Sequence, residues 1–301
     1  MTTLPPEVLG QIQAVGRGAS PEEVGALTEL LAPLHEKRGY LAPRVERDLP
    51  YGSDPRHLVD VHTPDSPAAE AAPVLLFVHG GGHVSGDKSE PDTPWYDHIG
   101  GWAVRHGMVG VNMSYRLAPQ HQWPSGAEDV AAAVAWTRKN IAEYGGDPDR
   151  IVLMGHSAGA TNAASYLAGD GGAGADDLAG AVLLSGIYDP QTAEPNFILT
   201  AYNGEDASKY AEQSAVPGLV LSQVPTLVGV AELDIPDFHR QAVSLLDSML
   251  AARGVIPPFV TVPGHTHLSE IYVLGIDDES FGDDLARFVH SVSAVGAHDA
   301  P

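Results

Sequence analysis

The chain has 301 residues, 16 of them basic and 39 acidic, for a formal net charge of −23. No cluster of Lys and Arg offers a face to nucleic acid, and the acidity argues against anionic membrane surfaces. The absence of cysteine excludes disulfides, cysteine-ligated zinc, iron–sulfur clusters and thiol nucleophiles.

The first residues, "MTTLPPEVLGQIQ", lack a basic stretch followed by an apolar core, so no secretory signal is read there. The longest apolar run, near "PVLLFV", is far too short to span a bilayer. A cytoplasmic, soluble protein is the expectation. "SPEEVGALTELLAPLHEKRGY" opens on a capping box: Ser20 caps, Pro21 fits the first helical position and Glu23 reaches back. Val24, Leu27, Leu30, Leu31 and Leu34 then recur at helical spacing. A weaker helix is expected before it.

"HLVDVHTP", from His57, alternates and predicts a strand. "PVLLFVHG", from Pro73, is a continuous apolar run, as a strand buried on both faces requires. From there strands and helices alternate. Strands are predicted at 107–115, 150–155, 178–186, 224–232 and 257–264. Helices are predicted at 127–145, 157–169, 236–254 and 277–290. Residues 169–177, "GDGGAGADD", read as a flexible loop. The βαβα pattern predicts an α/β fold: a mostly parallel sheet with helices on both faces.

"GHSAG" (Gly155–Gly159) fits G-x-S-x-G, and it lies between a predicted strand and a predicted helix, as that motif requires. A serine on so sharp a turn takes strained backbone angles, and its neighbours two positions away must be small. The hydroxyl of Ser157 then projects from the carboxyl end of the sheet, where open α/β folds place ligands. The helix start beneath it favours developing negative charge.

"HGGG" (His79–Gly82) closes an earlier strand. Glycines let backbone N–H groups come close to a substrate, and acyl transfer needs such donors at the oxyanion. The donors assigned are the N–H groups of Gly81, Gly82 and Ala158. His79 is expected to hold the loop rather than act in chemistry. A phosphate-binding loop would want G-x-x-x-x-G-K-S/T or G-x-G-x-x-G, and neither is present.

"HGGG", then "SYRLAPQHQWP" (Ser114–Pro124), then "GHSAG" resemble the hormone-sensitive-lipase-like branch of α/β-hydrolase carboxylesterases. The resemblance runs from about residue 56 to the C-terminal helix. It implies one α/β-hydrolase domain over 1–301, with a mostly parallel eight-stranded sheet and a small helical cap. Residues 1–50 and about 190–215 are the candidate cap segments. It also implies a small-molecule ester substrate, no cofactor, and an option to form a homodimer.

In that fold the chain order is nucleophile, acid, then histidine. "TLVGVAELDIPDFHRQ" offers Glu232, Asp234 and Asp237. Glu232 lies too close to the strand. Asp237 follows Pro236 in a first helical turn, where an acid has an ordinary task complementing the helix dipole. The family pattern favours Asp234, with Asp237 as the fallback. The base falls in "PGHTHLS", where the family's G-x-x-H spacing from Gly264 selects His267 over His265. Taken alone, these would be two solvated loop histidines. A zinc clip would need a further ligand, and no metal is expected.

The reaction class is then ester hydrolysis through an acyl-enzyme on Ser157. An arylformamidase-like amidase using the same residues is the alternative. A non-catalytic ligand-binding protein of this fold would lack one of the three side chains, and here all three are present.

Overall fold

The computed structural model describes residues 4–66, 69–172, 178–276 and 281–295. Two helices lead, α1 (Pro6–Val15) and α2 (Pro21–Arg38). The capping box forms: the Glu23 N–H donates to the Ser20 hydroxyl at 3.3 Å, and the Ser20 N–H donates to the Glu23 carboxylate at 2.9 Å. Then come β1 (Arg44–Pro50), β2 (Leu58–Thr63), β3 (Ala72–Val78), α3 (Asp97–Arg105), β4 (Val109–Met113) and α4 (Ser125–Asn140). β5 (Gly146–His156), α5 (Ala158–Ala168), β6 (Gly180–Leu184), α6 (Phe197–Asn203), α7 (Val216–Leu221) and β7 (Thr226–Leu233) follow. The described chain closes with α8 (Pro236–Arg253), β8 (Phe259–Thr266), α9 (Ser269–Tyr272) and α10 (Gly282–Val295).

Among the described residues the strands form one eight-stranded sheet in the order β1-β2-β4-β3-β5-β6-β7-β8. β2 is antiparallel to both its neighbours, and all other pairs are parallel. Alternate residues of β3 feed two cores. Val74, Leu76 and Val78 join Val111 and Leu153 on one face, while Leu75 and Phe77 join Val152 and Met154 on the other. Both faces being covered is why the run is apolar without a break. The second core also takes Ile12 from α1 and Leu27 and Leu31 from α2.

β1 and α3, like the short α7 and α9, escape the sequence pattern. β1 reads RVERDLP and is mostly exposed, as suits a charged strand at the sheet edge. Residues 44–50 of the first candidate cap segment are therefore sheet. α3 carries Gly100 and Gly101, poor helix formers in isolation. Both are close-packing positions: a Cβ on Gly100 would run into the His62 ring, and one on Gly101 into the Tyr40 carbonyl. Residues 173–177 of the expected loop and 277–280 of the expected last helix lie outside the described residues. No described helix is long and apolar enough to cross a membrane.

Candidate active site

The loops leaving β3, β5, β6, β7 and β8 meet at the carboxyl edge of the sheet, and Ser157 stands at their centre. It takes φ 56° and ψ −123°, between β5 and the first turn of α5. Few side chains adopt such angles unless the surroundings impose them. Here the flanking glycines leave room for the turn to close. A Cβ on Gly155 would strike the Gly159 carbonyl, and a Cβ on Gly159 would strike the carbonyls of Val78 and His79 at the end of β3. The Ser157 N–H is fixed to the Leu184 carbonyl of β6 at 2.9 Å.

His267 lies between the other two predicted residues. Its Nε2 is 2.9 Å from the Ser157 hydroxyl, and its Nδ1 is 2.9 Å from Asp234 Oδ1. Phe238 stacks on the imidazole at 4.3 Å, with the planes 7° apart, and so fixes the ring's tilt. The Ile235 N–H donates to the same Asp234 oxygen at 2.8 Å.

The rejected candidates have other duties. Asp237 accepts from the Glu194 N–H at 2.9 Å and meets Arg240 at 3.3 Å. Glu232 accepts from the Gly264 N–H at 2.6 Å, holding the turn ahead of the base. His265 is wholly buried, not solvated, and its Nδ1 meets the Ser269 hydroxyl at 3.1 Å.

The glycine loop after β3 is tied from behind. The Tyr115 hydroxyl contacts the carbonyls of His79 and Gly80 at 3.1 and 3.3 Å. His79 stacks on Tyr115, and its Nδ1 donates to the Gly80 carbonyl at 2.6 Å. Burial pushes the His79 imidazole down to about 4, so it stays neutral and structural at neutral pH. Gly81 and Gly82 have φ of 114° and 62°. Gly82 and Ala158 line the same cavity as Ser157, and Gly81 lies one residue back in the loop.

That cavity is about 500 Å³. Its far wall comes from the chain after β6, including Ile187, Ile198, Tyr202 and Gln213. The second candidate cap segment thus borders the cavity, whereas no described residue before 50 lines it. The N-terminal helices pack elsewhere: Trp95 Nε1 donates to the Thr28 hydroxyl at 3.1 Å, and His35 Nε2 donates to the Tyr272 carbonyl at 2.7 Å.

Burial pushes the Asp234 carboxyl up, but the charge and hydrogen bond of His267 outweigh this and hold it below the usual carboxylate range. For His267, burial pushes the imidazole down while the Asp234 carboxylate pushes it up, and a charge on Glu270, where that group is ionised, adds to the push; the net is a rise above the ordinary imidazole value of 6.5. A base must be neutral to take a proton, so protonation at low pH silences it. The acid limb of kcat/KM, which reports the free enzyme, is expected to have its midpoint above 6.5. A stopped-flow pH series on an activated ester reads this, and a midpoint below 6 would contradict it.

Sequence reasoning missed three buried polar residues behind this trio: His156, Ser185 and Glu270. Each had a weak positional signal. His156 is the variable residue of the serine motif, Ser185 directly follows β6, and Glu270 follows His267 by three. One grouping with metal-ligand spacing occurs among the described residues: atoms of His156, His267 and Glu270 lie within 4.8 Å of one another. It does not include His265. Both nitrogens of His267 already face Ser157 and Asp234.

Parts of the chain are similar to known proteins. The BD-FAE family model matches residues 59–173, from β2 through α5. That stretch holds the glycine loop and Ser157 but ends before Asp234 and His267. The chain is 40% identical over 114 residues to Esterase LipC of Mycobacterium tuberculosis, covering 36% of this chain and 26% of LipC. It is 29% identical over 198 residues to Carboxylesterase NlhH of the same organism, covering 66% of this chain and 57% of NlhH. The matches thus span less than two thirds of either relative. Among solved structures, Bacterial Heroin Esterase superposes with a TM-score of 0.66 at 25% identity, covering 99% of each chain.

Proposed function

We propose that this chain, which has the α/β-hydrolase fold and resembles its hormone-sensitive-lipase-like esterases, is a serine carboxylesterase. The observation that carries this is the line Asp234–His267–Ser157, with both links at 2.9 Å. A hydrogen-bonded nucleophile, base and orienting acid is the signature of nucleophilic acyl transfer.

In this mechanism the Ser157 hydroxyl attacks the ester carbonyl carbon as His267 Nε2 takes its proton. Asp234 holds the Nδ1–H and stabilises the imidazolium. The oxyanion is received by the N–H groups of Gly81, Gly82 and Ala158, at a helix start that favours negative charge. The carbonyl re-forms, His267 returns its proton to the departing alcohol, and Ser157 keeps the acyl group. Water repeats the cycle and releases the carboxylic acid. Residues 190–215 act as the cap over this chemistry.

A cavity of about 500 Å³ falls within the range of small-molecule sites and suits short acyl chains. Nitrophenyl esters of increasing acyl length, with a formyl-kynurenine-type amide alongside, test the proposal. The expected result is fastest turnover on short esters, with the amide at least tenfold slower in kcat/KM. Faster turnover of the amide would move the reading to the formamidase class. A homodimer and a cytoplasmic setting belong to the same reading, checked by sedimentation and by cell fractionation.

A further inference from the structure

The acid of the trio is not the end of the hydrogen-bonded line. Asp234 Oδ2 lies 2.5 Å from the Ser185 hydroxyl, and the same hydroxyl lies 2.6 Å from Glu270 Oε1. Asp234, Ser185 and Glu270 are all wholly buried. A hydroxyl has one hydrogen, so it can donate to one carboxylate only. The second contact needs a hydrogen from the other side.

Asp234 is not that donor. Its Oδ1 accepts from the Ile235 N–H and from His267 Nδ1, and its Oδ2 is left to accept from Ser185. The remaining source is Glu270. The ion-pair partner within reach of Glu270 is a histidine rather than a Lys or Arg. His156 Nε2, from β5, is 3.4 Å from Oε1 but donates to the His267 carbonyl at 2.8 Å, and its Nδ1 is buried without a partner. Its Nε2 hydrogen is thus spent on that carbonyl rather than on Glu270. Arg17 reaches the Asp234 main-chain carbonyl rather than either carboxyl group. Glu270 Oε2 is itself buried and unpartnered, a costly position for an ionised oxygen.

We infer that Glu270 is a positioning residue of the catalytic line, a neutral carboxylic acid that donates to Ser185, which in turn donates to Asp234. It acts through Ser185 and touches no substrate. Asp234 thereby receives its full set of donors while remaining the single negative charge beside His267. The geometry fixes which Asp234 oxygen faces the base and keeps a second anion out of a dry site.

This inference rests on the serine-hydrolase reading above, and labelling of Ser157 by a fluorophosphonate in every variant keeps the two apart. If Ser157 is not labelled in the unaltered protein, the reading itself fails. Given labelling, Glu270→Ala is expected to lose roughly tenfold in kcat with KM nearly unchanged, the size of one hydrogen bond between neutral groups. Glu270→Gln keeps a neutral donor and should restore kcat to within a few-fold, with the acid limb of kcat/KM unmoved. Ser185 has φ 51°, in the left-handed region, so Ser185→Gly suits the backbone and breaks the link without strain. It should lose as much kcat as Glu270→Ala, and the double variant no more than either. The inference is overturned by full activity in Ser185→Gly and Glu270→Ala, or by losses that add in the double variant. It is also overturned by a fall of the acid-limb midpoint in Glu270→Gln, since that marks the removal of a real charge beside His267.

Discussion

Ser157→Ala abolishes turnover, with a loss on the order of a million-fold in kcat by analogy with serine hydrolases. The magnitude follows from the role. Removing the hydroxyl leaves the oxyanion donors and the cavity intact but nothing to form the acyl-enzyme. KM should stay within a few-fold, because the binding walls are untouched. Alanine keeps the same Cβ, so the strained turn is no worse than before. A fluorophosphonate should label the unaltered protein once, at Ser157, by peptide mapping. Labelling of another serine with Ser157 unmodified would end the proposal.

The second large effect separates the two neighbouring histidines. His267→Ala is expected to cost several orders of magnitude in kcat, since the nucleophile loses its base. His265→Ala should cost tenfold or less. The two side chains sit in different places: His267 faces Ser157 and Asp234, while His265 turns inward to Ser269. His265 is wholly buried, so its loss opens a cavity and should show more in melting temperature than in turnover. Both variants are assayed on one activated ester after circular dichroism establishes folding. A dead His265→Ala beside an active His267→Ala would reverse the assignment of the base.

What could be read from the letters depended on how many constraints each stretch carries. β3 and the strand before Ser157 are buried on both faces, so their apolar runs could hardly be anything else. "GHSAG" was legible because two carbonyl collisions forbid a side chain at Gly155 and Gly159. β1 was not, since an exposed edge strand has only one neighbour and a charged face. α3 was hidden by glycines whose reason is a contact with residues about forty and sixty positions earlier in the chain. The choice between Asp234 and Asp237 turned on a few residues after a strand end, and the spacing from Gly264 chose the histidine. Why that glycine holds its turn became visible only with Glu232 beneath it. Ser185 and Glu270 had no motif at all. Their meaning lies in a shared hydroxyl between chain segments 85 residues apart.

Ser157 and His267 stand 110 residues apart, and β8, which leads into the base, is the last strand of the sheet and lies at its edge. A ribosome delivers the chain from its N-terminus. The nucleophile therefore leaves the tunnel long before its partner does. Until β8 is made, Ser157 lacks the histidine that the mechanism gives it as base. The trio is complete only once β8 pairs with β7. On the proposed mechanism, the order of the residues along the chain places the arrival of the base after that of the nucleophile.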